Sequence, residues 1–398
     1  MDPAALSPLQ AVREWHDELA QLRRELHRNP ELGFDEQFTS SLVVRELERF
    51  GVDEIHRGLG RTGVVGVIRG SADDRGRSVG LRADMDALPL QEENEFAHRS
   101  ARAGVMHACG HDGHTAMLLG AARYLAQTRA FNGRVHLIFQ PAEEGLGGAQ
   151  AMIDDGLFER FPCDSVFGMH NWPALAPGRI GLRVGPMLAA ADRVTICVEG
   201  RGGHGAHAHR AIDPVLVAAQ IIVAAQSIVS RNVSPIDSAV VSLCSVQAGN
   251  PQAMSVIPRE ARITGTVRTF RRDTQDLVEQ RLRTLAESVA AGFGATALVD
   301  YERVYPATVN SETQARFARA VAAELVGDAN VADDLEPSMG SEDFAFMLQR
   351  CPGAYLRIGQ GGAESGCFLH NPRFDFNDEI LPLGSALYAR LAERALPP

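Results

Sequence analysis

The sequence predicts an α/β protein with a mostly parallel, doubly wound sheet that is interrupted by a smaller inserted domain. In both outer parts of the chain, short apolar runs alternate with amphipathic helical segments, as expected for strands that are buried on both faces. Between residues 188 and 304 the order of elements changes to β-α-β-β-α-β, the split βαβ arrangement of a ferredoxin-like unit. We therefore expect one domain made of residues 1–187 and 305–398 and a second made of residues 188–304.

Hydrophobic periodicity and breaker residues predict the elements of the first segment. Apolar residues from Trp15 to Leu26 recur with helical spacing, and this helix is expected to end at Asn29-Pro30 because proline lacks the N–H that continues a helix. The elements predicted after it are a helix at 36–50, strands at 62–70 and 78–88, a helix at 113–127, and strands at 134–144 and 165–173.

The inserted segment and the last segment follow the same criteria. For the insert we predict a strand at 193–199, a helix at 211–230, strands at 239–248 and 256–270, a helix at 274–292 and a strand at 296–304. For the last segment we predict helices at 312–325 and 341–350, a strand at 354–359 and a helix at 381–395.

Composition and charge limit the classes of function. The chain has 398 residues, 45% of them hydrophobic, and a formal net charge of -11, which argues against nucleic acid or an anionic membrane as the partner. The beginning of the sequence lacks a basic and then apolar export signal, and we expect no run of the roughly 20 apolar residues that cross a bilayer. Six cysteines without paired spacing do not indicate a disulfide framework, so we expect a cytoplasmic protein in a reducing compartment.

The segment from His107 to His114 is the most informative for chemistry. It reads HACGHDGH and places three imidazoles, a thiol and a carboxylate at a predicted strand-to-helix turn. In open α/β sheets, ligands bind at such turns beyond the carboxyl ends of the strands. Imidazole and thiolate are preferred ligands of zinc and similar metals, so the segment predicts a metal site.

Further candidate ligands follow the other predicted strands. Glu143 and Glu144 end one strand, His170 ends another, and His370 lies in a loop near the end of the chain. Two adjacent glutamates suit a division of labour in which one binds metal and the other takes a proton from water. The carboxylates of Asp84 and Asp86 end a third strand, where they can orient imidazole ligands or simply form a turn.

Long motifs in this chain resemble a family of dinuclear metallopeptidases. The strings are HRNPELGFDE, LRADMDALPL, MHACGHDGHTAMLLGAA, FQPAEEGLGGAQAMI, GMHNWP, IDPV, GTVRTF, SEDFAFM and FLHNPRFDFND. The resemblance extends from about residue 12 to 393, in the branch of hippurate hydrolases, aminoacylases and plant auxin-conjugate amidohydrolases. It implies a phosphorylase/hydrolase-like catalytic domain and, at 188–304, a lid and dimerisation domain.

The same resemblance implies roles for individual residues. Two divalent ions, which can be Zn, Mn, Co or Ni, would be held by Cys109, His111, Glu144, His170 and His370. Cys109 would bridge them as a thiolate. Glu143 would be the general base and later the proton donor, and Asp86 would stand where relatives keep an orienting aspartate.

Most of the remaining site candidates lie in the inserted domain. His204 matches a residue that in relatives enters the partner subunit's active site and stabilises the oxyanion, which implies a homodimer or a tetramer. His207 and His209 depart from the family pattern, as does Ser255 at a position that is usually asparagine. The candidates for substrate binding are Arg268, whose guanidinium suits a carboxylate, Asn250 and Gly340.

These features predict a metal-dependent enzyme that hydrolyses the amide bond of N-acyl-L-amino acids such as hippurate or N-acetyl amino acids. The same site could serve a metallo-dipeptidase or metallo-carboxypeptidase, and a catalytically silent protein could use it to bind an amino-acid conjugate. A serine hydrolase is set aside because no G-x-S-x-G segment follows a predicted strand. The preferred acyl group, amino acid and metal stay open.

Overall fold

The computed structural model describes residues 7–398. The sixteen strands within this range are β1 (Glu54–Leu59), β2 (Gly63–Arg69), β3 (Ser78–Asp84), β4 (Arg134–Gln140), β5 (Ser165–Trp172), β6 (Ile180–Gly181), β7 (Gly185–Leu188), β8 (Ala190–Glu199), β9 (Gly203–His204), β10 (Ala239–Ala248), β11 (Val256–Ile257), β12 (Glu260–Thr269), β13 (Thr296–Tyr305), β14 (Thr308–Asn310), β15 (Val331–Ala332) and β16 (Gly353–Gly359). The α-helices described there are α1 (Pro8–Arg13), α2 (His16–Arg28), α3 (Gln37–Phe50), α4 (His111–Thr128), α5 (Gly148–Asp154), α6 (Leu157–Arg160), α7 (Pro214–Arg231), α8 (Arg272–Gly292), α9 (Glu312–Val326), α10 (Phe344–Arg350) and α11 (Leu381–Ala395).

The chain divides into two compact units. The first contains Met1–Met187, Thr308–Glu336 and Asp343–Pro398, and the second contains Leu188–Ala307 and Pro337–Glu342. Compared with the expected boundaries, residues 305–307 and 337–342 group with the inserted unit. Gly340 therefore belongs to the second unit by its contacts, although it comes long after the insert in sequence.

The first unit is built on an eight-stranded sheet in the order β1-β2-β4-β3-β5-β16-β6-β15. Its centre, from β4 to β16, is parallel, while β1, β2 and the β16–β6 pair introduce antiparallel neighbours. The α/β class is confirmed, and four of the seven strand pairings in this mixed sheet are parallel. At the β1 edge the physical reason for the antiparallel pairing is the short loop at 60–62, which can join antiparallel strands only.

Helix α4 connects the sheet to the predicted metal site. It lies almost wholly buried and consists largely of small and apolar residues, so neighbouring elements approach it closely. A side chain at Gly120 would come within 2.3 Å of Ser385 in α11, which shows how tightly these two helices pack. This packing holds the first turn of α4, which begins at His111, at the carboxyl end of the parallel strands.

The main sheet of the second unit is antiparallel, in the order β10-β12-β8-β13, and β9 and β11 form a separate two-stranded antiparallel sheet. With α7 and α8 this is the expected β-α-β-β-α-β order, and apolar residues of both helices form its core with the sheet. Contrary to expectation, α7 is long and apolar enough to cross a membrane, with a mean hydropathy of 1.5. One face of it, which includes Val217, Ile221 and Ile228, is buried in the core, and a single such helix is weak evidence for a membrane span.

Candidate metal centre

The turn before α4 places His111 with one ring nitrogen free. Gly110 has φ 98°, a left-handed conformation that favours glycine, and an added Cβ would come within 2.3 Å of the Asn171 side chain. His111 Nδ1 lies 2.8 Å from the carbonyl oxygen of Asp86, which can only accept, so Nδ1 donates. Nε2 of His111 is buried and has no hydrogen-bond partner among residues 7–398. A histidine whose Nδ1 is held in this way offers Nε2 to a metal.

The five predicted ligands form two groups that share one thiol. The ligand atoms of Cys109, His111 and His170 lie within 4.8 Å of one another, and so do those of Cys109, Glu144 and His370. The Cys109 Sγ and His170 Nε2 atoms are 3.3 Å apart. A sulfur common to two groups can bridge two ions, which matches the role that the family resemblance implies.

Glu144 and His370 face each other in the second group. Their Oε1 and Nε2 atoms are 3.0 Å apart, yet Glu144 Oε1 makes no hydrogen bond within the described range. His370 has a left-handed φ of 63°, unusual for a residue with a side chain, and its N–H donates to the carbonyl oxygen of Ala108 at 2.7 Å. That bond ties the loop of His370 to the residue that precedes Cys109.

Asp86 positions the glutamate pair. Its Oδ1 and Oδ2 accept the backbone N–H groups of Glu143 and Glu144, each at 3.0 Å. Its Oδ1 also lies 3.3 Å from His111 Nδ1. One buried carboxylate therefore orients a candidate ligand from each side of the site. Glu143 is itself buried, and its Oε1 accepts a hydrogen bond from the backbone N–H of Asp343 at 3.4 Å.

The charges of the site favour a bound cation. Burial raises the pKa of the Cys109 thiol well above its usual range, and the carboxylates of Glu144 and Glu143 raise it further. Burial alone would lower the pKa of His111, but Asp84 and Asp86 raise it to about 10. A metal must therefore displace protons from both side chains when it binds, and its affinity should increase with pH.

The third histidine of the motif has a different role. His114 Nδ1 lies 2.5 Å from Asp84 Oδ1, and its Nε2 lies 2.7 Å from Asn171 Oδ1. Asn171 in turn donates to Gln360 Oε1 at 2.8 Å. Both ring nitrogens are thus within hydrogen-bond distance of other side chains, and the His114 ring packs edge-on against the ring of His170, with centroids 4.5 Å apart. Sequence reasoning missed Asn171 and Gln360, although Asn171 directly follows a predicted ligand.

The four other candidates lie in the second unit, and their roles stay predictions. His204 is exposed on β9 and its Nδ1 accepts from the N–H of Ala206 at 3.1 Å, which leaves Nε2 available. Arg268 is half-buried on β12, and burial lowers its pKa. Asn250 and Gly340 are exposed in loops. His207 and His209 are exposed near His204, with successive ring centroids 5.5 and 6.1 Å apart.

These donors fit two divalent ions. They combine a shared thiolate, three imidazoles and one carboxylate, a set that suits zinc or manganese, and the neighbouring Glu143 can transfer protons. An α/β sheet with such a site at the carboxyl ends of its strands defines a dinuclear metal-dependent hydrolase.

Comparison with known proteins identifies the family. Residues 80–394 match the model of peptidase family M20/M25/M40, and the chain belongs to this family. It is 45% identical to hippurate hydrolase of Campylobacter jejuni over 97% of this chain and 98% of the relative, and 40% identical to N-acetylcysteine deacetylase of Bacillus subtilis over 96% and 98%. The solved structure of the YXEP protein of Bacillus subtilis, described as a dinuclear metal-binding peptidase of the M20 family, superposes with a TM-score of 0.83 at 38% identity, covering 96% of this chain and 98% of that one.

The comparisons confirm the resemblance, the fold class and the two-metal cofactor that the sequence predicts. The protein is a dinuclear metal-dependent amidohydrolase of this family.

Proposed function

We propose that the protein hydrolyses the amide bond of N-acyl-L-amino acids, hippurate-like or N-acetylated, to a carboxylic acid and a free amino acid. The observation that supports this most is the pair of ligand groups sharing Cys109, with the buried carboxylate of Glu143 beside them. The names of the relatives agree, since one is a hippurate hydrolase and another an N-acetylcysteine deacetylase.

Two bound divalent ions would polarise the substrate carbonyl and lower the pKa of an attacking water. Glu143 takes the proton from this water and later delivers it to the leaving nitrogen, so that the amine departs neutral. The backbone bond from Asp343 to Glu143 Oε1 and the bond from Glu143 N–H to Asp86 keep this carboxylate in place during both transfers. His204 donates a hydrogen bond to the oxyanion, and Arg268, Asn250 and Gly340 bind the substrate.

A second candidate function is hydrolysis of short peptides at the same centre. The description of the YXEP structure as a peptidase favours it, because amide and peptide bonds need the same chemistry. A binder without catalysis is disfavoured, since Glu143 and the five ligand candidates are all in place.

We also propose a homodimer formed through the inserted unit and a cytoplasmic location. In a dimer, His204 of one protomer would reach the metal centre of its partner. Size-exclusion chromatography with light scattering tests the assembly, and mixing of E143Q and H204A subunits tests the sharing of residues. Activity regained on mixing two inactive variants supports the dimer, whereas no regain contradicts it.

The function itself is tested by metal analysis together with a substrate panel. The panel contains hippurate, N-acetylcysteine, an acetylated aromatic amino acid and one dipeptide, and the readout is release of free amino acid. Two ions per chain and metal-dependent cleavage of the acylated substrates support the proposal. Cleavage of the dipeptide alone would favour the peptidase function. Activity that is unchanged after complete metal removal would contradict both proposed functions.

A further inference from the structure

A buried arginine lies beside the metal ligand candidate His170. Arg357 is 4% exposed and stands on β16, where its Cα is the registered partner of His170 in the parallel neighbour β5. Registered partners of neighbouring strands project from the same face of a sheet. The registered pair two residues earlier, Tyr355 and Gly168, is an example: a side chain added at Gly168 would contact the Tyr355 ring on the same face. The side chain of Arg357 therefore projects from the same face of the sheet as the side chain of His170.

Arg357 differs from the other buried arginines in having no counter-ion. Arg82, on the same face of the sheet, pairs with Asp84 at 2.8 Å and with Asp343 at 3.3 Å. Arg23 pairs with three aspartates: Asp112, Asp375 and Asp378. Arg357 makes no ion pair and no hydrogen bond that the structure of residues 7–398 shows, and its buried Nη2 is without a partner. Leaving a charge buried and unpaired is costly, so such a group is expected to meet an anion in the working enzyme.

Trp172 holds the guanidinium of Arg357 from one side. The Arg357 Cζ atom lies 3.7 Å from the centroid of the indole ring, a cation–π contact. A guanidinium that stacks on a ring keeps the N–H groups at its edge free, and that planar fork matches the two oxygens of a carboxylate. Trp172 is partly exposed, whereas Arg357 is buried. Burial lowers the pKa of Arg357 to about 10, which leaves it charged at neutral pH.

We propose that Arg357, stacked on Trp172, is a specificity-determining residue that binds a carboxylate group of the substrate next to the metal centre. The proposal rests on the proposed amidohydrolase function. The carboxylate can belong to the amino-acid part or to a dicarboxylic acyl group, because both present the same planar pair of oxygens. Two matched pairs of substrates separate these sources.

Steady-state kinetics of the metal-loaded R357M variant give the first test. The first pair is hippurate and hippuramide, with release of glycine or glycinamide measured, and the second is N-succinylglycine and N-acetylglycine. Loss of a charge-assisted bidentate contact should raise KM about 10- to 100-fold for the substrate with the recognised carboxylate and leave kcat within about threefold. A selective effect on hippurate assigns the amino-acid carboxylate, and one on N-succinylglycine assigns the acyl carboxylate. An equal effect within both pairs would overturn the proposal.

Thermal unfolding gives a readout that a merely structural arginine would not produce. Because the unpaired charge destabilises the free protein, R357M should raise Tm by a few degrees, while the matched exposed change R316M on α9 should leave it unchanged. Benzoate, succinate or glycine should raise the Tm of the wild type more than that of R357M. A lower Tm for R357M, together with equal carboxylate shifts in both proteins, would show a structural role. If the wild type cleaves none of these substrates, the proposed function fails, and the carboxylate shift in Tm still decides the role of Arg357.

Discussion

Replacing Asp86 with Asn tests how the glutamate pair is positioned. The carboxylate accepts two backbone N–H groups, those of Glu143 and Glu144, one on each oxygen. An amide of the same shape keeps one acceptor and turns an NH₂ group toward the other N–H, so one bond is lost and two donors oppose each other. A hydrogen bond to a charged group contributes about 1.5–3 kcal/mol, so the free energy of unfolding of D86N should be about 2–4 kcal/mol lower than that of the wild type.

D86N should also weaken metal binding and catalysis. With the turn at residues 143–144 displaced, Glu144 no longer faces His370, and Glu143 no longer stands beside the water it deprotonates. Loss of such an orienting group usually costs 10- to 100-fold in metal affinity or activity, and we expect a loss in that range for both. Competition with a chelator measures metal affinity, urea unfolding of the metal-free protein measures stability, and release of amino acid measures activity.

The matched control for D86N is D155N. Asp155 also accepts a backbone N–H, that of Gly60 at 2.7 Å, but it is exposed and is not a candidate for the metal centre. D155N should keep its metal affinity and activity within about twofold of the wild type. If D86N behaves like D155N in these two assays, the positioning role of Asp86 is refuted, whatever its stability.

Three further changes test separate parts of the structure. E143Q should keep two metal ions per chain but lose about 10²- to 10⁴-fold in kcat, because proton transfer is lost while the metal ligands stay. A kcat above a tenth of the wild-type value would contradict the assignment of Glu143 as the base. C109S should retain one ion or none by elemental analysis, since a hydroxyl bridges two cations poorly, and two tightly held ions would disprove the bridge. Burial lowers the pKa of His27, but its hydrogen bonds to Asp112 and Glu92 outweigh burial and raise the pKa to about 9. The folded protein therefore binds the imidazolium proton of His27 more tightly than the unfolded chain does. This stabilisation is complete below about pH 6.5 and is lost as the pH rises through 9. In urea unfolding measured as a function of pH, H27Q should remove this loss of stability between pH 6.5 and 9. An unchanged pH dependence would contradict the raised pKa of His27.

The elements that position the site were predictable because their signals are local. The apolar runs of β3, β4 and β5 and the small residues of α4 produce clear periodicities, and the structure has these elements within a few residues of the expected bounds. The edges of the sheet were not predictable in the same way. Strands such as β6 and β15 have two residues each, too few for any period, and their pairing depends on segments far apart in sequence.

Asp84 and Asp86 show where local reasoning about the site ends. From sequence both are carboxylates at the end of one strand that can orient imidazoles or simply form a turn. In the structure β3 ends at Asp84, so the two-residue spacing does not place both side chains on one face. Asp84 is fully buried between Arg82 and His114, whereas Asp86 binds the backbone of the glutamate pair. Only the end of the strand, which sequence locates poorly, separates the two roles.

The buried arginines extend this reasoning to specificity. Arg82 and Arg357 occupy equivalent settings in sequence, each inside an apolar strand, and nothing local distinguishes them. Arg82 is neutralised in part by Asp343, which is 261 positions away, and no comparable carboxylate meets Arg357 in the part of the chain that the structure describes. An arginine with counter-ions stabilises the packing of its own sheet, whereas one without them destabilises the free protein and gains from an anionic ligand. The presence or absence of a distant carboxylate therefore separates a structural cation from a binding one, and only the folded chain reveals it.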